Sequence, residues 1–116
     1  MFRRDRPTGD AAYYVLFSPL CCYCSAGSPS TAFVAPHPLG PYTPAGDLGN
    51  APQAQGNFVF MHSDLPGEVL WSGNRWGSAS DGLFDHALQY WALLNFTPGG
   101  DVQPIAWQDT FNLSVC

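Results

Sequence analysis

Three of the four cysteines in this 116-residue chain lie within four positions, in the stretch LCCYCS, and the fourth is the last residue. Cys21 and Cys24 have the C-x-x-C spacing that can supply two thiolate ligands to a tetrahedral zinc ion. Such a site needs two more ligands, and the sequence has no second C-x-x-C and no H-x₃₋₅-H pair. A redox centre is disfavoured because the motif follows a strand-like run instead of opening a helix. Cys21, Cys24 and Cys116 are therefore weak metal candidates, and we predict no metal site.

A disulfide to the last residue is a second interpretation of the cysteines. A bridge from Cys116 to Cys21, Cys22 or Cys24 would close a long loop. Adjacent Cys21 and Cys22 point to opposite faces of an extended chain, so only one of them can easily serve a given partner. Buried and unreactive thiols are the third interpretation, and the sequence leaves all three open.

The histidines do not form a recognisable catalytic motif. His62 lies near Asp64 in the sequence, and His86 follows Asp85, which suggests a base with an orienting carboxylate. However, the chain has no G-x-S-x-G and no H-E-x-x-H motif, and the Gly-rich loop at 73–82 lacks the lysine of a phosphate loop. We predict no catalytic residue, no cofactor and a protein that is not an enzyme.

The composition indicates a surface that faces other protein. Only 11% of residues are charged, none is lysine, and aromatic residues make up 15%. Free-standing domains usually carry a coat of lysine and glutamate, which keeps their surfaces hydrated. Aromatic residues dominate both cores and interfaces. A large core combined with a genomic bias against lysine is the alternative explanation.

The charges are distributed unevenly along the chain. Arg3, Arg4 and Arg6 stand against Asp5 in the first six residues, whereas Arg75 alone faces eight acidic residues in the remainder. A basic arm on an acidic body predicts head-to-tail docking onto a like subunit, or docking onto some other acidic surface. Three arginines are too few for nucleic-acid binding, and the acidic body would repel phosphate, so we expect no nucleic acid partner.

The first half of the chain contains two expected strands and one irregular segment. Residues 1–27 have the outline of a secretory signal peptide, with a basic start and a mostly apolar stretch at 11–24. However, Asp5, Asp10 and Pro19 interrupt this outline, and the apolar stretch is too short to span a bilayer. We expect strands at 11–18 and 30–35 instead. Residues 36–56 hold five prolines and four glycines, which exclude a helix or an interior strand and predict an extended strap across a surface.

The second half of the chain is expected to form the main β-rich core. Strands are expected at 57–62 and 68–72. Residues 83–95 fit a single helix, but the alternation over 87–96 favours a strand. After the TPGGD turn, the run 102–115 is expected to return as the second strand of a hairpin.

Together these patterns predict a mostly-β fold, a small sandwich or barrel of short antiparallel strands. The chain is long enough for a single domain, 1–116. Within it we expect a polar basic arm at 1–10, an extended Pro/Gly-rich strap at 36–56 and a β-rich core at 57–116.

We predict a non-enzymatic structural subunit of a large assembly, most concretely a viral or phage accessory protein such as a capsid cement, decoration, tail or baseplate component. The partners would be other protein subunits, either further copies or a major structural protein, with no nucleic acid and no membrane. The expected location is the virion. The residues expected at the interface are Arg3, Arg4, Arg6, Pro38, Pro41, Tyr42, Pro44 and Trp76.

The alternative is an extracellular binding module, a carbohydrate-binding-like sandwich with a disulfide to Cys116. Exposed Trp71, Trp76 and Trp107 would then stack on sugars, although such residues are more often core or interface anchors. A small enzyme is the third hypothesis, and it lacks the required constellation of residues.

Overall fold

The computed structural model describes residues 1–6, 8–18, 22–61 and 67–113. In these residues, seven strands form two antiparallel sheets that share one hydrophobic core, so the predicted mostly-β fold is confirmed and resembles a small sandwich. The two helical elements described are single 3₁₀ turns, and none of the described helices has the length and apolar character needed to cross a membrane. The strands are β1 (Phe2–Asp5), β2 (Ala11–Phe17), β3 (Thr31–Ala35), β4 (Thr43–Asp47), β5 (Gln55–Phe60), β6 (Leu70–Arg75) and β7 (Leu88–Leu93).

Sheet A contains β1, β2, β3 and β4 in chain order. Its inner face follows the period-two alternation of β2, in which Ala12 and Tyr14 are fully buried. The register pairs Tyr14 with Phe2 on one side and with Val34 on the other, which places all three on the core side. Buried Tyr14 Oη donates a 2.7 Å hydrogen bond to the Gly100 carbonyl, so its one polar atom is satisfied inside the core.

Sheet B contains β5, β6 and β7, again in chain order. The Trp71 indole lies in its core face, against the cross-strand pair Gly56 and Gly73. A Cβ at position 73 would lie 2.5 Å from Trp71 Cη2, and one at position 56 would lie 3.0 Å from Nε1. The two glycines therefore leave the space that a flat indole needs to lie along the sheet.

One side of the sandwich is closed by residues 95–105, which run between the edges of the two sheets. The backbone N–H of Val102 donates to the Ala45 carbonyl at 2.8 Å, and that of Ile105 donates to the Leu48 carbonyl at 2.9 Å. Val102 and Ile105 are both buried in the core. This segment therefore protects the β4 edge, which would otherwise expose unpaired backbone groups.

In the basic arm expected at 1–10, residues 2–5 are extended and form edge strand β1 on β2. Phe2 stacks on Tyr14 with ring centroids 5.2 Å apart. The Arg4 guanidinium lies 4.1 Å from the centroid of the inward-facing Phe96 ring. The alternation of Phe2 and Arg4 with outward Arg3 makes these residues a strand, because the inward side chains gain packing and a cation–π contact.

The predicted strap at 36–56 is partly a strand. Residues 43–47 form β4 at the edge of sheet A, and 36–42 have no regular structure. Pro44 lies within β4. Because β4 is an edge strand, it tolerates a residue without a backbone N–H. The exclusion of helix and interior strand is consistent with this arrangement. Gln55 already belongs to β5, so the strap ends earlier than expected.

The alternative helix at 83–95 is wrong. Residues 84–86 form a 3₁₀ turn and 88–93 form β7, which agrees with the favoured strand. In β7, Tyr90 and Ala92 face the core while Trp91 faces outward. Burial of every second residue is the period of a strand, whereas a helix would bury residues three or four positions apart.

The predicted hairpin of 87–96 with 102–115 is wrong over the described residues. Val102 makes isolated bridges to Gly46 and Phe96, and residues 103–113 contain no strand. Pro104 follows directly after the bridge and cannot donate to a ladder. The last residues of the expected strand, 114–116, lie outside the described residues.

Candidate protein interaction surfaces

The outer face of sheet B is apolar along most of its length. The register places Phe58 and Trp91 on either side of Ser72, and Phe60 and Leu93 on either side of Leu70. Phe58, Phe60 and Trp91 are 47%, 42% and 38% exposed. We call Phe58, Phe60, Leu70, Trp91 and Leu93 the sheet B face.

The polar side chains beside the sheet B face, Ser72, Gln89 and Asn74, are hydrogen-bonded to one another. Phe58 and Trp91 meet edge to face across the strand between them, with centroids 5.4 Å apart. They cover Ser72, which is fully buried and donates to Gln89 Oε1 at 2.5 Å. Asn74 Oδ1 accepts from Gln89 Nε2 at 2.6 Å. Within the three strands of this sheet the outward side chains carry no charge, and the polar ones lie at the Gln89 and Asn74 end of the face.

The outer face of sheet A is also apolar, but the chain itself covers part of it. Tyr13, Val15 and Phe33 are half-buried there. Ala35 is paired with Tyr13 on this outer face, yet it is only 1% exposed. Phe17, at the end of β2, is exposed.

The loop 36–42 connects β3 to β4, and we call it the proline loop. Tyr42 precedes β4 and Met1 precedes β1, at opposite edges of sheet A. Tyr42 Oη nevertheless lies 3.2 Å from Met1 Sδ and donates to the Pro38 carbonyl at 2.9 Å. The Tyr42 side chain therefore links the two edges of the sheet and braces the loop, while Leu39 at its tip is 98% exposed.

Three aromatic rings form a surface cluster at the opposite end of sheet A. Tyr23 lies 4.8 Å from Trp76 and 5.7 Å from Phe84 between ring centroids, and Trp76 lies 6.0 Å from Phe84. Tyr23 is 59% exposed and Phe84 is 49% exposed. We call these three residues the aromatic platform.

The aromatic platform is fixed by polar contacts and backbone geometry. Gln55 Oε1 accepts a 2.7 Å hydrogen bond from Trp76 Nε1 and a 3.2 Å bond from the Tyr23 backbone N–H. Tyr23 has φ +58°, which is uncommon for a bulky residue and persists only where its surroundings impose it. Cys24, which directly follows Tyr23 in the sequence, is disulfide-bonded. These constraints hold the exposed rings in place.

An Asp–His pair stabilises the turn that carries Phe84. Asp81 Oδ1 accepts from the Leu83 backbone N–H at 3.1 Å, and Asp81 Oδ2 lies 2.5 Å from His86 Nδ1. The Leu83 hydrogen bond, followed by the His86 contact, lowers the pKa of the Asp81 carboxyl. Both side chains are exposed. The pair closes the loop between Asp81 and His86, and this is the structural role that its geometry supports.

The arginines predicted at an interface divide into two groups. Arg3 is exposed and forms an ion pair with Asp5 at 2.7 Å. Arg4 and Arg6 have buried guanidinium nitrogens, and these make no hydrogen bond to a described residue. A Cβ at Gly100 would lie 3.4 Å from Arg6 Nε, so this side chain packs on the turn after β7. Of the three, Arg3 is the most exposed, whereas Arg4 and Arg6 are half-buried.

The other predicted interface residues lie in two places. Pro38, Pro41 and Pro44 are exposed in or beside the proline loop, where half-buried Tyr42 also lies. Trp76 belongs to the aromatic platform. The structure thus brings Trp76 together with Tyr23 and Phe84, and it separates this group from the prolines.

The tryptophans suggested for sugar stacking do not share a surface. Trp71 is buried in the core, which corrects the expectation that it is exposed. Trp107 is exposed but stacks on Tyr90 at 4.8 Å, and the Arg75 guanidinium lies 4.7 Å from its ring centroid. These two contacts hold the Trp107 ring against its own chain, although the residue remains 46% exposed.

The cysteine stretch is partly described. Cys22 is an exposed free thiol, and Cys24 is disulfide-bonded and cannot offer a thiolate. Cys21, Cys116 and His62 lie outside the described residues. In the part of the chain that the structure describes, no three His, Cys, Asp or Glu side chains cluster as metal ligands.

A cleft of ≈ 320 Å³ opens on the side of the sandwich that residues 95–105 leave uncovered. Phe2 and Leu16 of sheet A line one wall, and Val59 and Trp71 of sheet B line the other. The cleft is a gap between two sheet edges, and Ser30, Asn57 and Phe58 also line it.

The sheet B face is the surface that sequence reasoning missed. Its signal was present in the run NFVFM at 57–61, which is apolar at nearly every position. A strand that is apolar on both sides indicates burial on both sides. Gln55, which fixes the aromatic platform, belongs to no recognisable motif.

The comparisons with known proteins return no relative. No protein-family model matches the sequence, no curated protein matches it, and no solved structure matches the fold.

Proposed function

We propose that this chain is a non-enzymatic structural subunit of a large protein assembly and acts by burying surface between neighbouring subunits. The sheet B face is the observation that carries the proposal. Its three aromatic side chains are each more than one third exposed on a sheet surface without charge. Antiparallel sheets that face water normally present polar side chains on that side, and contiguous apolar patches indicate interaction sites.

The expected contribution of this surface is sufficient to matter for association. Full burial of a large apolar side chain contributes about 1.5–3 kcal/mol. Covering the exposed parts of Phe58, Phe60 and Trp91 would then contribute about 2–4 kcal/mol before ordering costs. A stable assembly needs further contacts, and the exposed apolar residues elsewhere on the molecule supply candidates for them.

The most concrete form of the proposal is a virion accessory protein, such as a capsid cement or decoration protein or a small tail or baseplate component. The support for this form is the composition, with 11% charged residues and no lysine. Such a surface suits contacts that form once and persist, which are more apolar than transient ones. The partners would be further copies or a major structural protein, and the location would be the virion.

Native mass spectrometry together with binding of an apolar fluorescent dye tests the proposal. The variant Phe58→Ser/Trp91→Ser removes the centre of the sheet B face, and Leu113→Ser serves as the exposed control outside it. If copies associate, the double variant lowers the association constant about tenfold or more, and the control does not. If the wild-type chain is monomeric, it binds the dye and the double variant does not, which supports a partner of another kind. A monomer that binds no dye contradicts the proposal.

An extracellular binding module is the second candidate, and one specific observation favours it. Cys24 is disulfide-bonded, and disulfides persist in oxidising compartments. The aromatic platform would then be the sugar-stacking surface. Glycan binding by a monomer, lost in Tyr23→Ala and retained in Phe58→Ser/Trp91→Ser, would establish this alternative over the structural subunit.

A further inference from the structure

The aromatic platform and the proline loop leave sheet A at opposite ends. Tyr23 lies in the connection from β2 to β3, and the proline loop connects β3 to β4. Because β3 runs antiparallel to both neighbours, its two connections must emerge at opposite ends of the sheet. Leu39 cannot reach the platform of its own chain, so a contact between them requires two copies.

The proline loop has the features of an anchor that enters a partner. Leu39 at its tip is 98% exposed. The Gly40 backbone N–H donates to the His37 carbonyl at 3.0 Å, and Tyr42 Oη donates to the Pro38 carbonyl. Prolines and these two hydrogen bonds order the loop before binding, which reduces the entropy that binding costs. A nearly fully exposed leucine on an ordered tip is accessible to the surface of a partner.

The aromatic platform has the features of the receiving surface. Tyr23 and Phe84 expose about half of their surface each, and Gln55 and the disulfide at Cys24 keep the rings from rearranging. Aromatic surfaces receive proline-rich segments because the flat rings stack against pyrrolidine and aliphatic groups. Preordered aromatic residues are also the commonest binding hot spots.

The charges of the two surfaces are compatible. Apart from the Tyr42 phenol, His37 is the sole ionisable side chain in the proline loop. On the platform side, the exposed carboxylates of Asp81 and Asp85 flank Phe84 in the sequence. An uncharged tip with one histidine therefore meets rings bordered by carboxylates, and no like charges are brought together.

We propose that the proline loop of one copy docks on the aromatic platform of the next, with Leu39 and its flanking prolines against Tyr23 and Phe84. This inference rests on the proposed function, because it supplies a contact between copies that is separate from the sheet B face. The two surfaces differ and lie at opposite ends, so the contact is heterologous and builds a ring or an open chain of copies.

A complementation experiment tests the proposal. Leu39→Ser removes the anchor, Phe84→Ser removes part of the platform, and Leu113→Ser is the control at another exposed leucine. Sedimentation velocity of the full chain is expected to show growing oligomers for the wild type and the control. Each variant alone loses about tenfold or more in end-to-end association. Mixing the two variants restores one intact contact per pair, so heterodimers form and growth stops there.

Two results would overturn the inference. If Leu39→Ser and Phe84→Ser associate as the wild type does, the contact between copies lies elsewhere, for example at the sheet B face. If the wild-type chain is a monomer at every concentration, there is no contact between copies. Neither result decides the proposed function, which depends on the sheet B face and its dye-binding and double-variant measurements. Circular dichroism of both variants establishes that the fold is retained.

Discussion

The outer faces of the two sheets have similar composition but different surroundings. On sheet A, Ala35 is 1% exposed, and the proline loop reaches from one edge of the sheet to the other through Tyr42 and Met1. On sheet B, Phe58, Phe60 and Trp91 remain exposed. An apolar sheet face can thus be covered by a loop of its own chain or left for a partner. The difference is the reason that the proposed contact with a partner is placed on the sheet B face.

The largest expected effect separates the two faces of sheet B. Trp71 lies on the inner face and Trp91 on the outer face, one strand away. Trp71→Ala should destabilise the chain by about 3–5 kcal/mol, because it leaves a cavity over Gly56 and Gly73. Trp91→Ala should cost about 1 kcal/mol or less at a concentration where copies do not associate. Urea unfolding measures both, and equal losses would mean that Trp91 is part of a core.

The next effect concerns the inner face of sheet A. Its stability depends on a buried hydrogen bond, whereas that of the inner face of sheet B depends on the packing of an aromatic ring. Tyr14→Phe removes the 2.7 Å bond to the Gly100 carbonyl. The ring still fills its space, but a buried acceptor loses its partner, which should cost about 1–3 kcal/mol. Thermal unfolding measures the loss, with Tyr13→Phe on the outer face as the control. A neutral Tyr14→Phe would show that another group satisfies the carbonyl.

A smaller effect is expected when the cover of sheet A is loosened. Tyr42→Ala removes the ring that bridges Pro38 and Met1. We expect a loss of about 1 kcal/mol, since the bonds are at the surface. Apolar dye binding should increase as sheet A becomes more like sheet B. Tyr42→Phe isolates the part that comes from the hydroxyl. Unchanged dye binding in Tyr42→Ala would mean that the loop does not cover the face.

The smallest effect lies at the aromatic platform and concerns Asp81. Its pKa is lowered by the Leu83 N–H and then by His86, so the ionised carboxylate stabilises the folded turn. This stabilisation is complete above the ordinary aspartate pKa of about 3.9 and is lost as the pH falls through the lowered value. An NMR titration should place the Asp81 pKa below the ordinary value, and His86→Ala should raise it partway. A titration at the ordinary value contradicts the assigned contacts.

The strands that the sequence predicted are those with short apolar runs between turns. Strands β2, β3, β5 and β6 have this pattern, and alternation identifies β7. Strand β1 was missed because three of its four residues are charged, and its extended form depends on pairing with β2. Strand β4 was missed because it contains proline and glycine, which only an edge position tolerates.

The candidate surfaces were harder to predict because they depend on contacts distant in the sequence. Trp76 and Tyr42 were chosen as interface candidates by residue type, whereas the burial of the Arg4 nitrogens depends on the place of this residue in the register of β1 with β2. The sheet B face requires knowing which side of β5 meets the core. No single-residue pattern in the sequence contains that information.

The order of the strands has a consequence for how the chain is made. Each sheet is a simple meander built from one continuous segment, with sheet A complete at Asp47 and sheet B beginning at Gln55. During synthesis, sheet A can pair its four strands before sheet B leaves the ribosome. In that interval Tyr14 and Ala12, which are fully buried in the folded chain, are exposed to water because sheet B has not yet formed over them. The nascent chain is most prone to aggregation at this stage, before sheet B covers the apolar inner face of sheet A.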